Sequence, residues 1–395
     1  MNDTPQGERT RIAILGRCNV GKSSLINALA GQPVAIVSPV RGTTTDPVRK
    51  AMEMLPLGPV LFCDTPGLDD DGVLAPEREE RTLAELRQAD IALLVTDAPT
   101  GIGPHEEAIL AKVASLKTPC VIACNRIDET PPGADAPFGG RVFTPVSAKT
   151  LEGIDDLKRA IMKAVPDEAR RPIASDLVKP GDVVILVVPI DSAAPKGRLI
   201  LPQQQVIRDL LDAGVITVVA RERELEGALA ALRTPPALVI TDSQAFQVVS
   251  RIVPEDVPLT SFSILFARYK GDLPELMRGA KAIAGLADGD RILVAEGCTH
   301  HRQGDDIGTV KIPRLLEAKT GKRLRFEHSA GMGYPPDLSD YALVVHCGGC
   351  MLGRREMLSR IAAARAAGVP IVNYGVLLAC LNGILGRASA PLAGR

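Results

Sequence analysis

The sequence predicts an α/β protein built on parallel sheets, and three observations predict it. Short β-branched runs alternate with stretches of helical period along most of the chain. Several of the runs, such as Ile12 to Leu15, Val60 to Cys63 and Val183 to Val188, are apolar from end to end, as strands buried on both faces are. The first run, Ile12 to Leu15, passes through a glycine-rich loop directly into an amphipathic stretch. At 395 residues the chain is too long for one core, and its punctuation divides it into three blocks.

The first block spans 1–168. Its expected strands are Ile12 to Leu15, Val60 to Cys63, Ile91 to Thr96, Cys120 to Cys124 and Val142 to Pro145, with helical patterns at Leu83 to Gln88 and His105 to Ser115. Pro166 to Asp182 carries three Pro and paired Arg and reads as a linker. A second block, 176–266, offers strands at Val183 to Val188, Val215 to Ala220 and Ala237 to Thr241. Its helix Leu201 to Gly214 has Val206, Leu210 and Leu211 on one face. Tyr269 to Asp290, rich in Gly, Pro and Asp, reads as the next boundary. The third block, 267–395, repeats strand and turn at Arg291 to Glu296, Arg323 to His328, Ala342 to His346 and Pro370 to Asn373, with a helix at Met357 to Ala367. Its tail, Gly386 to Arg395, is expected to fray.

Composition narrows the function. Lys and Arg number 46 against 47 Asp and Glu, so no global charge marks a partner of nucleic acid or of an anionic membrane. Only 3% of residues are aromatic, with no Trp, which leaves few rings for stacking nucleobases. No apolar run approaches the ~20 residues that span a bilayer, and the polar start Met1 to Arg9 lacks a signal-peptide core. The expectation is a cytoplasmic protein with neither membrane nor nucleic acid as partner. Its eight Cys are then better read as reduced thiols than as disulfides.

Gly16-Arg17-Cys18-Asn19-Val20-Gly21-Lys22-Ser23 fits G-x-x-x-x-G-K-[ST] between a strand and a helix that starts near Ser24. Backbone N–H groups must meet phosphate oxygens at close range, hence the glycines, and the helix N-terminus adds a favourable dipole. Lys22 would reach the β and γ phosphates, and the Ser23 hydroxyl would ligate Mg2+. Asp64-Thr65-Pro66-Gly67 follows the second strand, where Asp64 can hold the Mg2+ shell and the Gly67 N–H can meet the γ-phosphate. Asn125-Arg126-Ile127-Asp128 follows the fourth strand, and the Asp128 carboxylate can accept two N–H bonds from guanine, a pattern adenine lacks. Ser147-Ala148-Lys149 would line the base pocket.

In this order the motifs resemble those of translation-factor-type GTPases, with Arg41 to Asp46 as the first switch segment, Thr44 and Thr45 included. The first block is therefore expected to be a P-loop GTPase domain, followed by two smaller α/β domains with parallel sheets. Arg126 stands where the family has Lys; its guanidinium can stack on a purine. The TrmE-Era branch is the nearest resemblance: it carries a P-loop Asn, here Asn19, which in TrmE-like relatives coordinates K+. Leu68 replaces the water-positioning Gln of Ras-like enzymes, so intrinsic hydrolysis should be slow and K+-stimulated.

Cys298-Thr299-His300-His301 and His346-Cys347-Gly348-Gly349-Cys350 each follow a strand of the third block, at the sheet edge where loops of open α/β folds converge. Three thiolates with nearby imidazoles suit Zn2+ or an iron-sulfur cluster, and spacing leaves both open. Cys120 and Cys124 share one strand face and read as core, Cys380 as packed in the last helix.

A P-loop GTPase, a middle α/β block and then C-x-H followed by H-C-x-x-C resembles the FeFe-hydrogenase maturation GTPases of the HydF type. Pro195 to Pro202, Ile207 to Asp212 and Glu296 to Arg302 add to the likeness. The resemblance implies a homodimeric scaffold with a dimerisation domain and a domain that binds a 4Fe-4S cluster. On it a transient diiron precursor is assembled or held for apo FeFe-hydrogenase, with radical-SAM maturases as further partners. By motif match Cys298, Cys347 and Cys350 are the cluster ligands, and His300 and His346 are candidates near the fourth position. Two other readings stay open: an RNA-modification or ribosome-assembly GTPase of the TrmE-Era kind with a structural zinc, and a dithiol redox enzyme using Cys347 and Cys350.

Overall fold

The computed structural model describes residues 9–31, 48–54, 57–64, 75–133, 137–166, 171–189, 199–297, 307–331, 333–349 and 352–393. They form two compact units, Met1–Arg170 and Arg171–Arg395.

The first unit runs β1 (Thr10–Leu15), α1 (Lys22–Ala30), β2 (Val48–Met54), β3 (Gly58–Asp64), α2 (Ala75–Gln88), β4 (Ile91–Asp97), α3 (Pro104–Ser115), β5 (Cys120–Asn125), β6 (Thr144–Pro145) and α4 (Ile154–Ala164). Its sheet has the order β2-β3-β1-β4-β5-β6. All pairs are parallel except β2 against β3, an antiparallel edge that is no apolar run because Arg49, Lys50 and Glu53 interrupt it. The two-residue period of each strand feeds two separate cores. Ile12 and Ile14 pack on one face with Leu25, Phe62 and Leu157, while Ala13 and Leu15 pack on the other with Leu86, Ile109 and Cys124. Cys120 packs against the second core, in line with the core role read for it and Cys124.

The second unit continues with β7 (Val183–Val187), α5 (Leu201–Asp212), β8 (Ile216–Ala220), α6 (Leu225–Ala230), β9 (Leu238–Thr241), α7 (Phe246–Ile252), β10 (Leu259–Ser261), α8 (Phe262–Lys270) and α9 (Leu273–Ala282). Then follow β11 (Arg291–Glu296), α10 (Ile312–Thr320), β12 (Arg325–Ala330), β13 (Leu343–His346), α11 (Arg354–Ala366), β14 (Ile371–Asn373), α12 (Tyr374–Leu381) and α13 (Leu385–Ser389). Two parallel sheets result, β10-β9-β7-β8 and β12-β11-β13-β14. One apolar cluster joins them: Val184, Leu186 and Ile240 of the first sheet, Phe262 and Leu265 of α8, and Ile292, Val344 and Ile371 of the second.

The boundary segment Tyr269 to Asp290 contains α9, whose Leu273, Leu276 and Ala280 are buried and which Asp272 caps by accepting the Glu275 N–H at 3.1 Å. Several local expectations are corrected. The second half of the supposed linker is packed: Ile173 and Ala174 are buried, and Asp209 Oδ2 accepts the N–H groups of Ile173, Ala174 and Ser175 at 3.2, 2.8 and 2.8 Å. The tail does not fray as far as Leu392. Ala388 and Leu392 are buried, the Ala388 carbonyl accepts from Thr260 Oγ1 at 2.8 Å, and Arg387 donates to the carbonyls of Ser250 and Val253. Leu211 is 54% exposed, the buried face of α5 being Gln203, Val206 and Leu210. Strand β10 is too short to stand out as a run.

Candidate nucleotide site and cysteine loop

The nucleotide loop leaves the carboxyl end of β1, between its neighbours β3 and β4. Val20 is buried in the core under the loop, while Ser24 is exposed on the first turn of α1. Gly21 sits at the helix start with φ +89, and a Cβ there would lie 2.4 Å from Asn125 Nδ2. Lys22 Nζ donates to the carbonyls of Gly16 and Arg17 at 2.8 and 2.7 Å, so the ammonium lies over the loop. Ser23 Oγ donates to Asp64 Oδ2 at 3.1 Å. The other oxygen, Asp64 Oδ1, is buried and has no hydrogen-bond donor among the described residues, and burial pushes this carboxyl above its usual range while Lys22 and Ser23 pull it down. A hydroxyl beside a carboxylate with an unsatisfied oxygen fits Mg2+, whose charge would hold the carboxyl ionised.

The base pocket closes around Asn125. This buried side chain donates to the Val20 carbonyl at 2.9 Å and accepts the Ala148 N–H at 3.1 Å, tying the loop after β1 to the loop after β6. Ser147 Oγ donates to Asp128 Oδ1 at 2.6 Å, and Lys149 Nζ stands 3.9 Å from Asp128 Oδ2. Together they fix the orientation of the Asp128 carboxylate. Arg126 donates to the Asn19 carbonyl, and both residues have positive φ. Sequence reasoning missed Arg17, whose guanidinium pairs with buried Glu106 at 2.7 and 3.1 Å and fastens the loop to α3. Only its place inside the motif could have suggested it. Thr44, Thr45 and Gly67 lie outside the described residues.

The second site stands at the carboxyl ends of β11 and β13, paired in register through Ala295 and His346. Cys298, His300 and Cys350 lie outside the described residues, so the geometry is that of Cys347 and His346. Cys347 Sγ accepts two backbone N–H bonds, from Gly297 at 3.1 Å and from Gly349 at 3.4 Å. The two donors are the residues immediately before Cys298 and Cys350 in the chain. Gly297 makes the approach because Leu352 packs where a Cβ would be, 2.7 Å from Leu352 Cγ. Backbone donors aimed at sulfur favour the thiolate and fit a soft metal centre.

His346 is fully buried. Its Nδ1 lies 2.8 Å from the Cys347 carbonyl and its Nε2 3.1 Å from Arg360 Nη1. Because guanidinium only donates, Nε2 is the acceptor and the proton sits on Nδ1. Burial, reinforced by Arg360 and opposed by the carbonyl bond, pushes His346 down to about 4. A ligand role for His346 has to displace Arg360 from Nε2. Arg360 is itself held by Glu356 at 2.8 Å and by the Gly331 carbonyl at 2.7 Å.

A glycine-rich phosphate loop, a Ser-carboxylate pair for Mg2+ and an Asn-Asp base pocket on a six-stranded sheet define a P-loop GTPase. Comparison with known proteins agrees: residues 11–126 match the model of the 50S ribosome-binding GTPases. Residues 173–271 match the hydrogen maturase F dimerization domain, and residues 274–391 match the hydrogen maturase F tetramerization domain. The chain belongs to the hydrogen maturase F family, the HydF-type GTPases of hydrogenase maturation.

The tRNA modification GTPase MnmE of Chromobacterium violaceum is 36% identical over 160 residues, which is 40% of this chain and 35% of the relative. That of Thiobacillus denitrificans is 36% identical over 158 residues, 40% of this chain and 34% of the relative. The chain thus spans about a third of the length of these curated relatives. Among solved structures, a variant of Aquifex aeolicus Era bound to GDP and AlF4− is 24% identical with a TM-score of 0.34, covering 53% of this chain and 93% of that one. The G domain of the T. maritima FeoB iron transporter is 24% identical with a TM-score of 0.32, covering 40% and 99%. Among the described residues no helix is long and apolar enough to cross a membrane.

Proposed function

We propose that this chain is a GTP-hydrolysing scaffold that holds a 4Fe-4S cluster and carries a diiron precursor to apo FeFe-hydrogenase in the cytoplasm. What supports the reading above all is the sulfur of Cys347, met by N–H groups from the residues that precede Cys298 and Cys350, within a chain of the hydrogen maturase F family. Cys298, Cys347 and Cys350 would supply three thiolates. A cubane has four irons, so one iron keeps an exchangeable position, with His300 and His346 as nearby candidates; the cluster there would supply a docking point for the precursor. This chain's own residues orient the thiolate through backbone donors and shield His346 with Arg360.

In the first unit Mg2+ is held by Ser23 and Asp64, and K+ by Asn19, whose backbone is fixed by Arg126. Catalysis of hydrolysis falls to Lys22, Asn19, Thr44, Thr45 and the N–H of Gly67, and the rate should be several-fold higher in K+ than in Na+. The blocks 176–266 and 267–395 act as dimerisation and cluster domains. For the homodimer the suited surface is the edge strand β8, where Ile216 and Val219 are 55% and 48% exposed. Radical-SAM maturases would load the scaffold.

The deciding experiment is purification without oxygen, with iron, acid-labile sulfide and zinc measured and EPR recorded. Iron with sulfide and a reduced-cluster signal is expected. Zinc alone would transfer the chain to the reading of an RNA-modification GTPase with a structural zinc.

A further inference from the structure

The loop between Cys347 and Cys350 is held from outside by a lysine that no motif contains. Lys270, the last residue of α8, is 3% exposed, and its Nζ donates to the carbonyls of Gly349 at 3.3 Å and Leu352 at 3.1 Å. These carbonyls flank Cys350 in sequence. Gly349, with φ +64, turns its carbonyl to Lys270 while its N–H meets Cys347 Sγ. The link is reciprocal: Arg354, at the start of α11, donates to the carbonyls of Tyr269 at 2.7 Å and Gly271 at 3.1 Å, on either side of Lys270. The end of α8 and the cysteine loop therefore clamp each other, side chain to backbone in both directions. The two halves of the clamp lie on opposite sides of the junction between the matched family domains, 173–271 and 274–391.

We propose that Lys270 is a positioning residue for the cysteine loop, and that its charge raises the reduction potential of the cluster bound there. The inference rests on the scaffold reading above. An ammonium is costly to bury unless dipoles or opposite charge surround it. Carbonyl dipoles of the loop supply part of that compensation, and a thiolate-ligated cluster is anionic and supplies more. Adding an electron to the cluster adds negative charge, which a nearby buried cation stabilises because the interior screens weakly.

The test uses the full chain, reconstituted with iron and sulfide without oxygen, as wild type and as Lys270→Arg, Lys270→Gln and Lys270→Met. Far-UV circular dichroism and sedimentation check the fold. EPR-monitored redox titration gives the potential, and iron loss to a chelator gives the hold on the loop. Lys270→Gln can still donate to a carbonyl but is neutral. It should shift the one-electron equilibrium about tenfold toward the oxidised cluster, or about 59 mV, while Lys270→Arg keeps the wild-type potential. Lys270→Met should also lose iron several-fold faster. Equal potentials in Arg and Gln overturn the electrostatic part, and chelator kinetics equal to wild type in a folded Met variant overturn the positioning part. Should Met fail to fold, the Arg and Gln pair still decides. A wild-type chain that takes up no iron and sulfide sinks the scaffold reading instead, so the two failures are told apart.

Discussion

The nucleotide loop after β1 and the cysteine loop after β13 both leave the carboxyl end of a parallel strand, and both turn carbonyls toward a lysine. In each a lysine ammonium bonds two loop carbonyls: Lys22 those of Gly16 and Arg17, Lys270 those of Gly349 and Leu352. The loops differ in where that lysine comes from. Lys22 is six residues from Gly16, inside the motif. Lys270 comes from 79 residues before Gly349, across the junction between two family domains. A phosphate site must present its lysine to the ligand, which keeps it local. A cysteine loop whose sulfurs do the binding does not need its cation to touch the ligand, so an element distant in sequence that packs nearby can supply it.

Four perturbations sharpen or break this comparison. Lys22→Ala has the largest expected effect: GTP turnover falls on the order of 10³-fold, while iron and sulfide content is unchanged. Loss of iron in that variant would show that the loops are not independent. Gly21→Ala comes next, since a Cβ at φ +89 strains the backbone and meets Asn125 Nδ2 at 2.4 Å. A cost of about 1–3 kcal/mol weakens GTP binding roughly fivefold to 150-fold by calorimetry.

Asp209→Ala probes the second unit away from its cysteines. Leaving the amides of Ile173, Ala174 and Ser175 without their acceptor should cost about 2–3 kcal/mol, read as faster hydrogen exchange at those amides with GTP affinity unaltered. Gly297→Ala is the mildest. Its backbone is not in the left-handed region, and the clash is with Leu352 Cγ and Cδ1, a side chain that has to shift rather than backbone, so about 1 kcal/mol and a few-fold faster iron loss are expected. An effect as large as that of Gly21→Ala would mean that the cysteine loop is as rigid as the phosphate loop.

How much could be read beforehand follows the same division. Strands β1, β3, β4 and β5 are buried on both faces and stand out as apolar runs, and the loops after them carry residues whose spacing is imposed by a nucleotide of fixed size. Edge strand β2 does not stand out, because Arg49, Lys50 and Glu53 put charge on both of its faces, and β10 does not, because it is three residues long. Asp64 and Ser23, or Asn125 and Ala148, could be assigned to one site from motif order, and the structure brings each pair within hydrogen-bond distance.

By itself the sequence determined the class of sheet, the nucleotide, and the cysteines worth watching, since these depend on period and on residue types at short spacing. Only the tertiary structure decided that the linker and the tail are packed, that His346 lends both ring nitrogens to a carbonyl and an arginine, and that Lys270 and Arg354 clamp the cysteine loop. The physical reason is range. Periodicity and motifs record interactions between residues a few positions apart. A buried charge finds its carbonyl partners only after distant helices have been packed together by the apolar cluster that joins the two sheets of the second unit.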